Sequence, residues 1–183
     1  GLAEKWEYSD NNTTLTMTLR QGVTFHDGTP LTSADVKSSI DRIKAPETAA
    51  VAAATLASVE SVEAPDPQTV VLRLSTPDAG LLAGLATTNL AIISKDDTPE
   101  TLASKPNGTG AFKFDSRTAG QSIKLVANPN YWGGKPKLDG LEFRIIPDQT
   151  SVVAGLQSGN IHFAALDDPL VARSAESSGL TGQ

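Results

Sequence analysis

Histidine is the side chain best suited to proton transfer near neutral pH and to metal ligation, and this sequence has 2, His26 and His162. His26 lies in Phe25-His26-Asp27-Gly28, beside a tight turn, with no second ligand at metal-site spacing. The simpler role is structural, with the imidazole bonding nearby backbone. His162 falls in Ile161-His162-Phe163, expected as a short strand. Ser-His-Asp triads assemble through space, so a hydrolase using either histidine stays open at this stage. The Gly-x-Ser-x-Gly elbow that would point to one is absent. Two glycine-rich stretches invite a phosphate-binding reading. Gly108-Thr109-Gly110 runs into Ala111-Phe112 rather than Gly-Lys-Ser/Thr, and Gly133-Gly134-Lys135-Pro136 has proline where a metal-binding hydroxyl belongs. Both read as turns. With no cysteine, thiolate nucleophiles, disulfides and Cys-ligated zinc are excluded.

Composition narrows the partners. A net charge of −6 with scattered Lys and Arg offers no concentrated cationic face for nucleic acid, and no polybasic segment for a membrane surface. No run of about 18 apolar residues is present, and the Ala-rich stretch from Ala49 to Ala57 is too short and too weakly apolar to span a bilayer. The 183 residues can bury a sizeable core, as one large domain or two small ones. Gly1-Leu2-Ala3 does not resemble a start and no signal peptide is visible, so the sequence is expected to begin inside a longer protein. No cofactor is implied.

The elements that must position these residues follow from periodicity. Leu15, Met17 and Leu19 alternate with threonines over 13–20, a half-buried strand, with Trp6-Glu7-Tyr8 as partner across Ser9-Asp10-Asn11-Asn12. Thr32 and Asp35 form a carboxylate variant of the capping box, Leu31 and Val36 occupy staple positions, and Val36, Ile40 and Ile43 form one stripe. The spacing predicts a helix over 33–44. A second, Ala-rich helix is expected over 47–57. Strands are expected at 59–64 and 69–75, a short helix within 78–85, and a strand at 90–94. Residues 95–107, with Pro99 and Pro106, read mostly as loop. Further strands are marked by Phe112 and Phe114, by Ile123 and Leu125, and by Leu141, Phe143 and Ile145. Asp148 or Gln149 opens a helix closed by Gly159, and from Asp167 the pattern decays toward a frayed end.

Four segments, in order, carry a resemblance. Leu2-Ala3-Glu4-Lys5-Trp6-Glu7 followed by Leu19 to Val36, then Gly108 to Phe112, then Asn128-Pro129-Asn130-Tyr131-Trp132-Gly133-Gly134-Lys135-Pro136, then Leu141 to Ile161 resemble the large solute-binding proteins of the oligopeptide, dipeptide and nickel transporter class. Ala111 replaces the usual proline, and His162 stands where an acidic residue is usual. The resemblance implies a mixed α/β fold like lobe I of a type II periplasmic binding protein, incomplete here. It assigns 1–29 and 111–166 to the lobe I core, 30–110 to an inserted subdomain, and 167–183 to a truncated crossover toward lobe II. It implies a monomer that captures a peptide or other small solute outside the cytoplasmic membrane, closes on it by hinge motion, and delivers it to ABC permease subunits. Contact with the membrane would be through a lipid anchor only. Thr109 and Gly110 would offer cleft backbone to an extended ligand, and Thr87, Thr88 and Asn89 small polar side chains. Tyr131 and Trp132 could stack on a ligand, but packing against the core is the simpler role, and Thr32 and Asp35 are structural. A ligand-sensing interaction module, a hydrolase and a purely structural piece are the alternatives.

Overall fold

Alternating apolar and threonine residues pair as strands in the computed structural model, which describes residues 1–182. Strands β1 (Ala3–Ser9) and β2 (Thr14–Leu19) form an antiparallel hairpin with Trp6 opposite Met17 and Tyr8 opposite Leu15. Its turn holds three successive left-handed residues, Asp10, Asn11 and Asn12, at φ 53°, 56° and 67°. Asn and Asp tolerate that region better than other side chains bearing a Cβ. β3 (Val59–Asp66) and β4 (Thr69–Leu74) complete an antiparallel sheet in the order β1-β2-β4-β3. Between them, Asp66 Oδ1 accepts from the N–H groups of Gln68 (2.9 Å) and Thr69 (3.0 Å), holding a turn in which Pro65 and Pro67 can donate nothing.

One face of this sheet is the core. Leu15, Val70 and Leu72 lose all their exposed area, each contributing about 1.5–3 kcal/mol of apolar burial. The stripe of helix α1 (Ser33–Lys44), Val36, Ile40 and Ile43, belongs to the same cluster, as do Leu56, Leu81 and Leu90. The sheet therefore joins residues on both sides of the expected 29/30 boundary, because the inward face of 15–19 continues into that of 70–74. Leu31 and Val36 are both buried, but Leu31 packs with Val23 and Phe25 in a second cluster, and Ile92 touches both clusters.

At the start of α1 the Asp35 carboxylate is 3% exposed. Its Oδ2 accepts from Thr32 N–H (2.8 Å) and Thr32 Oγ1 (2.7 Å), and its Oδ1 accepts from the distant Lys95 N–H (3.0 Å). One turn on, Ser39 Oγ donates to Ile93 O (3.1 Å) and accepts from Ile93 N–H (3.0 Å). These bonds explain why the strand expected at 90–94 does not form: side chains of α1 take the backbone groups that a neighbouring strand would have used. Two other expectations are corrected, at 47–57 and within 95–107. Residues 47–57 are not an α-helix but two 3-10 turns, Pro46–Thr48 and Val51–Leu56, interrupted by Ala49 at φ 46°. The short helix expected within 78–85 forms as α2 (Leu81–Leu85), followed by another 3-10 turn, Thr88–Leu90. Within the expected loop 95–107 lies α3 (Pro99–Ser104), where Pro99 starts the helix behind the Thr98 cap rather than breaking it.

β5 (Phe112–Thr118), β6 (Ser122–Ala127) and β7 (Gly140–Arg144) form a second sheet in that order. The chain divides into two compact units, Gly1–Phe114 with Leu125–Leu141, and Asp115–Lys124 with Glu142 onward. In the second, α4 (Gln149–Gln157) is capped by Asp148, which accepts from Ser151 N–H (2.7 Å), and is followed by Gly159 at φ 75°. The expected strand at Ile161–Phe163 is absent, because Ile161 N–H returns to Gly155 O (3.0 Å) and so turns the chain back onto α4. The expected frayed end instead holds α5 (Pro169–Ser177), capped by Asp168, with Gln157 Nε2 donating to Ser178 Oγ (2.9 Å). Val152 and Ala175 are buried here, whereas Phe143, Ile145, Phe163 and Leu170 are exposed.

Two predictions follow from the buried and turn-forming carboxylates. In Asp35→Asn the single amide oxygen can satisfy only one of the two backbone N–H groups, and the other faces an NH2. Asp35→Asn and Asp35→Ala should each cost about 2–4 kcal/mol in urea unfolding, whereas Asp41→Asn, which breaks only the exposed Lys37–Asp41 pair, should cost less than about 0.5 kcal/mol. Hydrogen bonds from the Thr29 hydroxyl to Asp27, from Gln68 N–H to Asp66, from the Ser58 hydroxyl to Asp78 and from the Ser151 hydroxyl to Asp148 hold these carboxyls below the usual range. A carboxyl depressed by folding stabilises above its unfolded pKa, about 3.9, and that stability is lost as pH falls through the folded value. The urea midpoint should drop below about pH 4 as these carboxyls take protons, with Thr29→Val moving the Asp27 carboxyl back up toward its ordinary range in a carboxylate NMR titration.

Candidate functional site

Val23, Phe25 and Leu31 are buried and anchor a tight loop from which His26 projects. The loop is closed by Phe25 N–H to Thr29 O (2.8 Å) and Gly28 N–H to Phe25 O (2.9 Å), with Gly28 at φ 93°. That angle suits glycine and strains other residues. Asp27 Oδ1 accepts from Thr29 N–H (2.9 Å) and Oγ1 (2.7 Å). Asn107 Nδ2 donates to Asp27 Oδ2 (3.0 Å) and to Asp97 Oδ2 (3.2 Å), while its Oδ1 accepts from Asp27 N–H (3.3 Å).

The rigid loop carries His26 to the segment Gly108-Thr109-Gly110. Main-chain His26 N–H donates to Gly108 O (2.8 Å). The ring lies within 3.0 Å of Gly110 O through Nε2, and Gly108 N–H donates to Nδ1 at 3.4 Å. An acceptor at Nδ1 and a carbonyl at Nε2 assign the neutral tautomer with its proton on Nε2. Buried Asn128 donates to the same Gly110 O (3.0 Å), and its N–H bonds Ala111 O (2.8 Å). Lys113 Nζ donates to His26 O (3.1 Å). The carbonyl of Gly110 is thus held twice, whereas no hydrogen bond among the described residues engages the N–H, C=O or hydroxyl of Thr109.

Thr109 and Gly108 line an open cavity of about 600 Å³. Its walls are apolar, including Ile40, Leu82, Leu85 and Leu90, and Ala86 contributes from the end of α2. Of the expected ligand-binding residues, Thr109 lies on this wall, whereas Thr87, Thr88, Asn89 and Gly110 do not. Thr87 Oγ1 donates to Gly84 O (2.8 Å) and Thr87 O accepts from Leu90 N–H (3.2 Å), so Thr87 closes the turn after α2. Thr88 and Asn89 are exposed within the 3-10 turn. Trp132 packs on the cluster of Val23, Phe25 and Leu31, with the Arg20 guanidinium 4.8 Å above its ring and the Tyr131 ring centroid 4.9 Å away. Both nitrogens of the His26 ring meet backbone atoms, and His162 is exposed in the second unit. Neither histidine bonds a serine or a carboxylate among the described residues, and no group of three potential metal ligands occurs there. No helix among them is long and apolar enough to cross a membrane.

Asn128, Asn107 and Lys113 were not singled out from the sequence. Asn128 opens the Asn-Pro-Asn-Tyr-Trp segment, and a polar residue closing an alternating strand was the one hint of its role.

The model of the family described as bacterial extracellular solute-binding proteins, family 5 Middle, matches residues 1–181. A putative ABC transporter peptide-binding protein of Brucella ovis is 40% identical over 176 residues, covering 91% of this chain and 33% of that protein. The chain therefore spans about a third of the length of the curated relatives it matches. Among solved structures, the agropinic acid complex of AgaA from A. tumefaciens R10 is similar at TM-score 0.80 and 37% identity, covering 87% of this chain and 33% of that one. The oligopeptide-binding protein AppA from Bacillus subtilis, in complex with a nonapeptide, is similar at TM-score 0.79 and 32% identity, covering 88% and 34%. The mixed α/β fold is that of part of a periplasmic binding protein, and the chain belongs to the family 5 bacterial extracellular solute-binding proteins.

Proposed function

We propose that the protein containing this chain captures a peptide or other small solute outside the cytoplasmic membrane and delivers it to the permease of an ABC importer, without covalent chemistry. In this reading the protein is a monomer held at the membrane by a lipid anchor. Its second lobe closes on the ligand, so binding energy is offset in part by the conformational change. Residues 1–29 and 111–166 belong to the lobe I core, residues 30–110 to the inserted subdomain, and residues 167–183 lead toward the second lobe.

Thr109 is the observation that carries this reading. Its main-chain donor and acceptor are uncommitted at the wall of an open apolar cavity, in a chain whose family is named for solute binding. Free backbone beside an apolar recess suits an extended ligand, which gains affinity from main-chain pairing and specificity from a side chain in the recess. Relatives named for peptide and glutathione binding are consistent with a ligand of that type. Thr88 and Asn89 stand as secondary contacts to the same ligand.

Thr109→Pro removes the free N–H. In the whole protein it should weaken peptide binding about tenfold by calorimetry, the worth of one hydrogen bond in a desolvated site, with the fold checked by urea unfolding of the same variant. Unchanged affinity for a peptide that the parent protein binds would sink the cleft assignment.

A further inference from the structure

We propose that His26 is a proton-sensitive positioning residue that holds the Thr109 backbone in its ligand-ready conformation only while its imidazole is neutral. The geometry dictates the sign. In the neutral ring Nδ1 accepts from Gly108 N–H and Nε2 donates to Gly110 O. A second proton must go to Nδ1, where it meets the Gly108 N–H head on across 3.4 Å. Two donors then face one another, and either the ring turns or Gly108 moves. Nε2 still donates to Gly110 and the main-chain His26 N–H still holds Gly108 O, so Gly108 keeps one of its two tethers to His26 while Gly110 keeps its own, and the segment leading into Thr109 is loosened on one side only.

The surroundings permit this. The His26 ring is only part-buried, so protons reach it from solvent. The charged groups near it are few: the Lys113 ammonium sits on the His26 carbonyl, the adjacent Asp27 carboxylate is turned toward Thr29 and Asn107, and Asp97 is reached only through Asn107. Gly108, Gly110 and Asn128, which complete the cluster, carry no charge. No carboxylate bonds the ring to hold it in one protonation state. Nothing else in the cluster titrates in the mildly acidic range where imidazoles take their second proton. The consequence for ligand, which rests on the cleft reading above, is weaker capture in acid than at neutral pH.

The test uses the 183-residue chain itself. His26 ring carbons and the amides of Gly108, Thr109 and Gly110 are followed by NMR between about pH 8 and 5, a span centred on the imidazole range. The expected result is that the amide shifts follow the ring with the same midpoint, and that hydrogen exchange at Gly108, corrected for its intrinsic pH dependence, becomes about tenfold less protected below it. His26→Gln, whose amide can accept from Gly108 and donate to Gly110 without titrating, should give flat profiles over the same range. The proposal is overturned if the wild-type ring titrates while the three amides stay still, or if His26→Gln reproduces the wild-type pH dependence. These readouts need no ligand, so failure of the Thr109→Pro binding test leaves them intact, and their failure leaves the cleft assignment intact.

Discussion

A carboxylate withdrawn from water must find hydrogen-bond donors nearby, and Asp35 finds them in two stretches of chain separated by sixty residues. Through one oxygen it sets the first turn of α1, and through the other it fixes the backbone at Lys95. Ser39 repeats the attachment at Ile93. The helix consequently serves two purposes at once. Its apolar stripe closes the core over the four-stranded sheet, and its polar edge decides the path of residues 90–95, which lead past the cavity toward Gly108. Had those residues joined a sheet edge, the cavity would have a different wall.

The candidate site depends on the same economy of polar groups. Gly110 O is gripped by His26 and Asn128, Gly108 by His26 from both its donor and its acceptor, and Thr109 between them by nothing among the described residues. A segment braced on either side of one uncommitted residue presents that residue at little conformational cost. The buried anchors beneath, Val23, Phe25 and Leu31, with Trp132 against them, keep the bracing loop in position. Arg20 stacked on Trp132 extends the cluster toward β2, so the turn bearing His26 is tied to the first hairpin as well.

What the sequence made legible was local. The Thr32–Asp35 spacing and the stripe of Val36, Ile40 and Ile43 place α1 at its observed limits, and strict alternation locates β2 and β4. Expectations failed where a distant partner decided the outcome. Ile92 and Ile93 have strand-forming side chains, but Ser39 takes both backbone groups of Ile93 from a helix. Pro99 reads as a breaker in isolation and as a helix start once Thr98 caps it. Ile161 bonds back to α4 instead of pairing. At the site, Thr109 and Gly110 drew notice through their likeness to a family motif, while the partners that hold Gly110, His26 and Asn128, stand 84 and 18 residues away and carry no spacing signal.

The amide of Asn107 joins Asp27 to Asp97 without contributing a charge of its own. Ion pairs on this chain, such as Lys37–Asp41 and Arg73–Glu63, are exposed and weaken as dissolved electrolyte screens them. A neutral amide bridging two carboxylates has no such weakness. The clasp on the His26 loop rests on no pairing of opposite charges, so screening reaches it less directly than it reaches the surface pairs.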